Sequence, residues 1–163
     1  MDSDLSPRPR EDPGYESPDA HCTVEVEAVP SRIGQIRRIV IAQLRYWHLD
    51  ALVEPAALAV TELLANVHQH AGPDKRCTIE LEQRPGRLTV SVRDRSQRLP
   101  LVGSPDPLDS HGRGLPLVAA LSEQWGCTRR EDGKAVWFTL AAPVTAEALP
   151  RAARTRRGAA RSA

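Results

Sequence analysis

Aromatic residues are scarce in this chain: one Phe, two Tyr and three Trp stand among 163 residues. Any core must therefore be packed mostly from Val, Leu, Ile and Ala. Cysteines are also few. Cys22, Cys77 and Cys127 are isolated and odd in number. No CxxC or Cys/His spacing builds a zinc site, so buried free thiols are the expectation. No apolar run approaches the roughly 18 residues of a membrane span. The opening stretch, MDSDLSPRPRED, is acidic and Pro-rich, the opposite of a secretory signal. These absences lead us to expect a cytoplasmic protein with no membrane association.

Charge of one sign is missing overall, since the formal net charge is +1. That balance gives no general bias towards nucleic acid. The two ends differ, however. Residues 1–20 hold Asp2, Asp4, Glu11, Asp12, Glu16 and Asp19 against Arg8 and Arg10. Residues 144–163 hold Arg151, Arg154, Arg156, Arg157 and Arg161 against Glu147. Both read as solvated, disordered ends, 1–20 and 143–163. What lies between is 40% hydrophobic and 26% charged when the whole chain is counted, the composition of an ordinary globular domain. The length suits one compact domain over 21–142.

Within that domain the periodicity is legible. Residues 21–28 alternate as a strand does. Ile33, Ile36, Val40, Leu44 and Trp47 recur at helical steps over 32–48, with Ser31 as the expected N-cap. A second helix is predicted over 54–70, started by Pro55 and stopped at Gly72-Pro73. Strands follow over 77–83 and 88–93, joined at Pro85-Gly86. Residues 94–111 are irregular. A third helix is predicted over 115–123, then strands 126–130 and 135–141 around an Asp132-Gly133 turn. This order gives an α+β domain: a two-layer sandwich in which three helices cover one face of a mixed, mostly antiparallel sheet.

Three features carry chemistry. Glu62 and Asn66 lie four apart, on one helix face. A carboxylate and a carboxamide one turn apart offer the hard oxygen ligands that Mg²⁺ prefers. The carboxylate could also deprotonate a nucleophile. Second, His111-Gly112-Arg113-Gly114-Leu115 precedes the third helix. The first N–H groups of a helix lack internal partners and form an anion site with the dipole. Glycines there let backbone approach a phosphate closely. No Gly-Lys-Ser/Thr follows, so this is not a P-loop. Third, Asp94 ends a strand and opens the irregular loop, where a carboxylate could accept a hydrogen bond from an exocyclic amine.

In this order the motifs resemble the histidine-kinase-like (GHKL, Bergerat-fold) ATPases, and among them the anti-sigma-factor serine/threonine kinases. VTELLANVHQHAG (60–72) matches the N-box, VRDRSQRLP (92–100) stands at the first glycine box, and GRGLPLVAALSEQWG (112–126) matches the second. GKAVWFTL (133–140) matches the final strand. The resemblance implies a Bergerat-type sandwich that binds ATP with Mg²⁺. It makes Glu62 the catalytic carboxylate and Asn66 the Mg²⁺ ligand. His70 completes the N-box pattern, and Asp94 takes the adenine amine. Gly112, Arg113, Gly114 and Leu115 would wrap the phosphates under a lid formed by 97–111. It further implies a sigma factor and an antagonist protein as partners, the antagonist being phosphorylated, and a possible homodimer. The arginine-bearing first helix would be a partner surface.

The chain departs from the family at two places. Asp94-Arg95-Ser96-Gln97-Arg98 lacks both glycines of the first glycine box. A side chain held in a sparsely populated backbone region costs about 1–3 kcal/mol, so the loop is expected to follow a different path. Ala135 stands where the family often has threonine. These departures keep open a non-catalytic module of the same fold that sequesters a regulatory partner. A free-standing nucleic-acid binder has no aromatic interleaving to support it.

Overall fold

A computed structural model describes residues 20–98 and 114–143. The expected disordered ends and the segment carrying Gly112 and Arg113 therefore lie almost wholly outside the described residues. The elements run β1 (Ala20–Glu27), α1 (Pro30–Tyr46), a 3-10 turn (Asp50–Leu52), α2 (Val53–His70), β2 (Arg76–Arg84), β3 (Arg87–Asp94), α3 (Gly114–Leu121), β4 (Gln124–Arg130) and β5 (Gly133–Ala141). This is the expected α+β order.

The strands form one sheet in the order β1-β2-β3-β5-β4. Every pairing is antiparallel, the limit of the mostly antiparallel sheet the sequence implies. Strict alternation sets its faces. Ile79 and Leu81 of β2, Leu88, Val90 and Val92 of β3, and Val136, Phe138 and Leu140 of β5 are buried. Together with the helices they make one apolar cluster. Their neighbours in sequence, such as Glu80, Glu82, Thr89 and Arg93, are half-buried on the other face. At about 25 cal/mol per Å² of apolar area, this burial is the main stabilising term.

Two turns follow from local chemistry. Arg84 pairs with Arg87 around Pro85-Gly86. Proline fixes its own φ, and Gly86 takes φ 76, as a type II turn requires. In the second hairpin Arg130 pairs with Gly133. The loop is therefore Glu131-Asp132, one residue before the expected pair, and Gly133 already belongs to β5.

α1 buries Ile36, Val40 and Leu44, spaced one turn apart. Its N-cap is Val29 with no side-chain hydrogen bond, and Pro30 occupies the first turn. Ser31 is thus inside the helix rather than capping it, because proline's preset φ lets the helix begin earlier. The C-terminus is closed by a Schellman pair: the Leu49 N–H donates to the Leu44 carbonyl at 2.9 Å, and the His48 N–H to that of Arg45 at 3.0 Å. His48 sits at φ 58, where glycine is usual. Burial of both Leu44 and Leu49 holds it there.

α2 is the central helix, packed against α1, α3 and β3. Val53, Ala56, Ala57, Ala59, Val60, Leu63, Leu64 and Val67 are all buried. The alanines let neighbouring backbones approach closely. Gly72 at φ 75, followed by Pro73, ends the segment as the sequence implies.

Candidate functional site

With so much of α2 buried, one stripe is left less covered. Leu58 is 40% exposed. Glu62 and Asn66, one and two turns on, are half-buried, while Gln69 and His70 are exposed. The expected pair is thus presented on one face of a rigid helix, flanked by core on both sides. An uncovered carboxylate and carboxamide at this spacing suit a hard cation that draws its other ligands from phosphate and water. Among the described residues no group of three or more His, Cys, Asp or Glu side chains forms a metal cluster. A site of this kind does not need one.

Asp94 lies at the end of β3, on the helix-covered face that Leu88, Val90 and Val92 define by alternation. It is 4% exposed. Its cross-strand neighbours are Cys77 on β2 and Lys134 on β5. The Lys134 ammonium donates to Asp94 Oδ1 at 3.1 Å and reaches Oδ2 at 2.9 Å. The Ser96 N–H donates to Oδ1 at 2.7 Å. Lys134 is itself 6% exposed, so the two charges form a buried pair. Sequence reasoning missed Lys134. Counting back from the Asp132-Gly133 turn gives its face on β5, but nothing local says that β5 lies beside β3.

The loop after Asp94 is held by hydrogen bonds of its own. Ser96 closes a tight side-chain turn on Asp94. The Gln97 amide donates to the Glu131 carbonyl at 3.0 Å, tying the loop to the β4–β5 hairpin. None of Arg95, Ser96, Gln97 and Arg98 has positive φ, so the missing glycines cost no strain here.

A cavity of about 580 Å³ opens at this end of the sheet. Cys77 and Asp94 line it with Arg32, Arg76, Arg95 and Asp132. Glu62 and Asn66 are not among the residues that line this cavity. Burial, and then the nearby Asp94 carboxylate, push the Cys77 thiol up to about 12. At the rim, hydrogen bonds from Arg76 hold the Asp74 carboxyl below its ordinary range.

Gly114 is the first residue of α3, as the motif requires. Leu115 is 6% exposed and packs in the core. Its side chain is structural, which leaves its backbone as the part that could serve a ligand. Gly112 and Arg113 lie outside the described residues.

The model of the histidine kinase-like ATPase domain matches residues 26–140. The chain belongs to the histidine kinase-like ATPase family. The match starts within β1 and ends within β5, so it takes in all three helices and all or part of every strand. This histidine kinase-like ATPase domain is accordingly an ATP-binding fold. It is similar to the crystal structure of the RsbU and RsbW domains of Rv1364c from Mycobacterium tuberculosis. The TM-score is 0.56 at 17% identity, over 77% of this chain and 34% of that one. The chain thus spans about a third of that structure, and the likeness speaks for the fold. No curated protein matches. No described helix is long and apolar enough to cross a membrane.

Proposed function

We propose that this histidine kinase-like ATPase domain is a cytoplasmic regulatory protein of the anti-sigma-factor type, one that binds a sigma factor and phosphorylates an antagonist protein on serine or threonine. The observation that carries the reading is the Glu62–Asn66 face of α2, left open on a helix otherwise sunk in the core. The sequence resemblance and a fold neighbour that contains an RsbW domain support it.

In this reading Asn66 ligands Mg²⁺, Asp94 accepts the adenine amine, and the backbone of Gly112, Arg113, Gly114 and Leu115 holds the phosphates at the start of α3. His70, at the open end of α2, belongs to the same nucleotide site. Mg-ATP supplies the phosphoryl group and the cation that neutralises its charge. Glu62 takes the proton of the acceptor hydroxyl as that oxygen bonds to the γ-phosphorus and ADP leaves. Arginines 37, 38 and 45 on the exposed side of α1 suit an acidic partner face, and a homodimer is compatible with the reading.

Calorimetric titration with ATP-Mg tests the first half. Wild type should bind, and Asn66→Ala and Asp94→Asn should each weaken binding. A chain that binds no nucleotide sinks the proposal. Labelled phosphate then tests the second half: transfer to an antagonist should stop in Glu62→Gln. The second reading, a non-catalytic sequestering module, draws on one observation, that Lys134 already engages both oxygens of Asp94. ATP binding without transfer to any candidate antagonist would favour it.

A further inference from the structure

Lys134 has no part in the roles above, yet it is one of three polar or charged side chains among the described residues that are almost fully buried. The other two are Asp94, its partner, and Thr139. Burying an ammonium is costly unless it is paired and hydrogen-bonded. Lys134 is paired, but incompletely. An ammonium carries three N–H donors. One is donated to Oδ1 of Asp94 at 3.1 Å, and Oδ2 lies 2.9 Å from the same nitrogen as an ion contact. Among the described residues the ammonium finds no acceptor outside Asp94. The carboxylate is similarly uneven. Oδ1 accepts hydrogen bonds from both Ser96 and Lys134, whereas Oδ2 meets Lys134 only as an ion contact. The pair therefore keeps acceptor capacity on Oδ2 beside unused donor capacity on Nζ.

Such an adjacent acceptor and donor complement an amidine edge. The Watson–Crick edge of adenine is one: an N–H donor on the exocyclic amine next to the ring acceptor N1. We infer that Lys134 is a second base-reading residue, donating its free N–H to adenine N1 while Asp94 Oδ2 accepts from the amine. The inference rests on the reading of Asp94 as the adenine contact and adds a residue to it. Asp94 keeps its bond from Ser96, and Lys134 keeps its bond to Oδ1, so neither charge is stripped of its partner as the base enters. The geometry is prepared before the ligand arrives. The Asp94 turn onto Ser96 and the cross-strand pairing of Asp94 with Lys134 anchor both residues at strand ends, and the bond to Oδ1 holds the ammonium beside the carboxylate.

The test compares three nucleotides on the full chain by titration: ATP, the ATP analogue with C–H in place of N1, and the triphosphate of purine riboside, which lacks the amine. Wild type should bind the analogue without N1 about tenfold more weakly or worse, the usual worth of a hydrogen bond to a charged group. In Lys134→Met that discrimination should vanish, while the preference for ATP over the purine riboside triphosphate persists. A wild type that binds ATP and the N1-less analogue equally overturns the inference. So does a Lys134→Met variant that still discriminates. Should Lys134→Met fail to fold, the Nζ resonance of isotope-labelled lysine in wild type decides: it should shift with ATP and stay in place with the N1-less analogue, and an unchanged resonance under ATP overturns the inference. Failure of the underlying nucleotide reading looks different, since none of the three triphosphates would bind.

Discussion

Gly133 passes so close to Asp94 that a Cβ placed on it would stand 1.9 Å from the Asp94 carbonyl oxygen. Its φ of 153 is also one that side chains rarely adopt. Glycine at the start of β5 is therefore what allows that strand to close against the end of β3. Gly133→Ala should destabilise the fold by at least about 2 kcal/mol, because strain and overpacking add at one point. Urea titration followed by circular dichroism reads the cost. A change within a few tenths of a kcal/mol would refute it.

The buried pair makes a second prediction. Lys134→Met strips Asp94 of its partner and leaves a carboxylate in the core, which costs about 3–5 kcal/mol. The double change Asp94→Leu, Lys134→Met removes both charges and should recover most of that loss. Equilibrium unfolding of the two variants distinguishes these outcomes. Similar losses in both would show that shape, not charge, is what matters at this position.

Cys77 predicts a specific alkaline weakness. Its folded thiol is pushed up to about 12 from an ordinary value of 9.0. A raised folded value means that the folded state holds the proton more tightly than the unfolded chain does. The stabilisation is whole below the unfolded value and is lost as pH rises from there towards the folded one. Stability should fall between pH 9 and about 12 more steeply in wild type than in Cys77→Ala. The same burial should keep Cys77 unreactive to a thiol reagent at neutral pH until the chain unfolds.

His48 predicts a change of the opposite sign. It is exposed and sits at φ 58, where a side chain costs about 1–2 kcal/mol. Glycine gives some of that back as unfolded-state entropy. His48→Gly should therefore raise stability by about 0.5–1 kcal/mol, seen as a higher midpoint in thermal melts. A lower midpoint would mean that the imidazole makes a contact worth more than the strain.

The helices were legible because their buried residues recur within a few positions of one another. Ile36, Val40 and Leu44 announce α1 with no help from distant residues. The Glu62–Asn66 spacing likewise announced that the two side chains share one open face of α2. Pairings between distant strands left no such trace. β5 lies beside β3 with α3 and β4 between them in sequence, and Asp94 meets Lys134 across 40 positions. A periodicity can say that Lys134 faces the helices but not which carboxylate it will find. The His48 cap was hidden for another reason: two buried leucines impose a conformation that the residue's own chemistry disfavours.

The strand order has a mechanical side. Two of the four pairings, β2 with β3 and β4 with β5, are hairpins closed by short turns. The β3–β5 contact joins these hairpins along a single seam, and its register must be found after a long stretch of chain has been closed into a loop. Asp94 and Lys134 sit on opposite banks of that seam, at its end. A base gripped by both would act as a staple across the join, so occupancy of the pocket should slow the parting of the two hairpins as well as report that they have met.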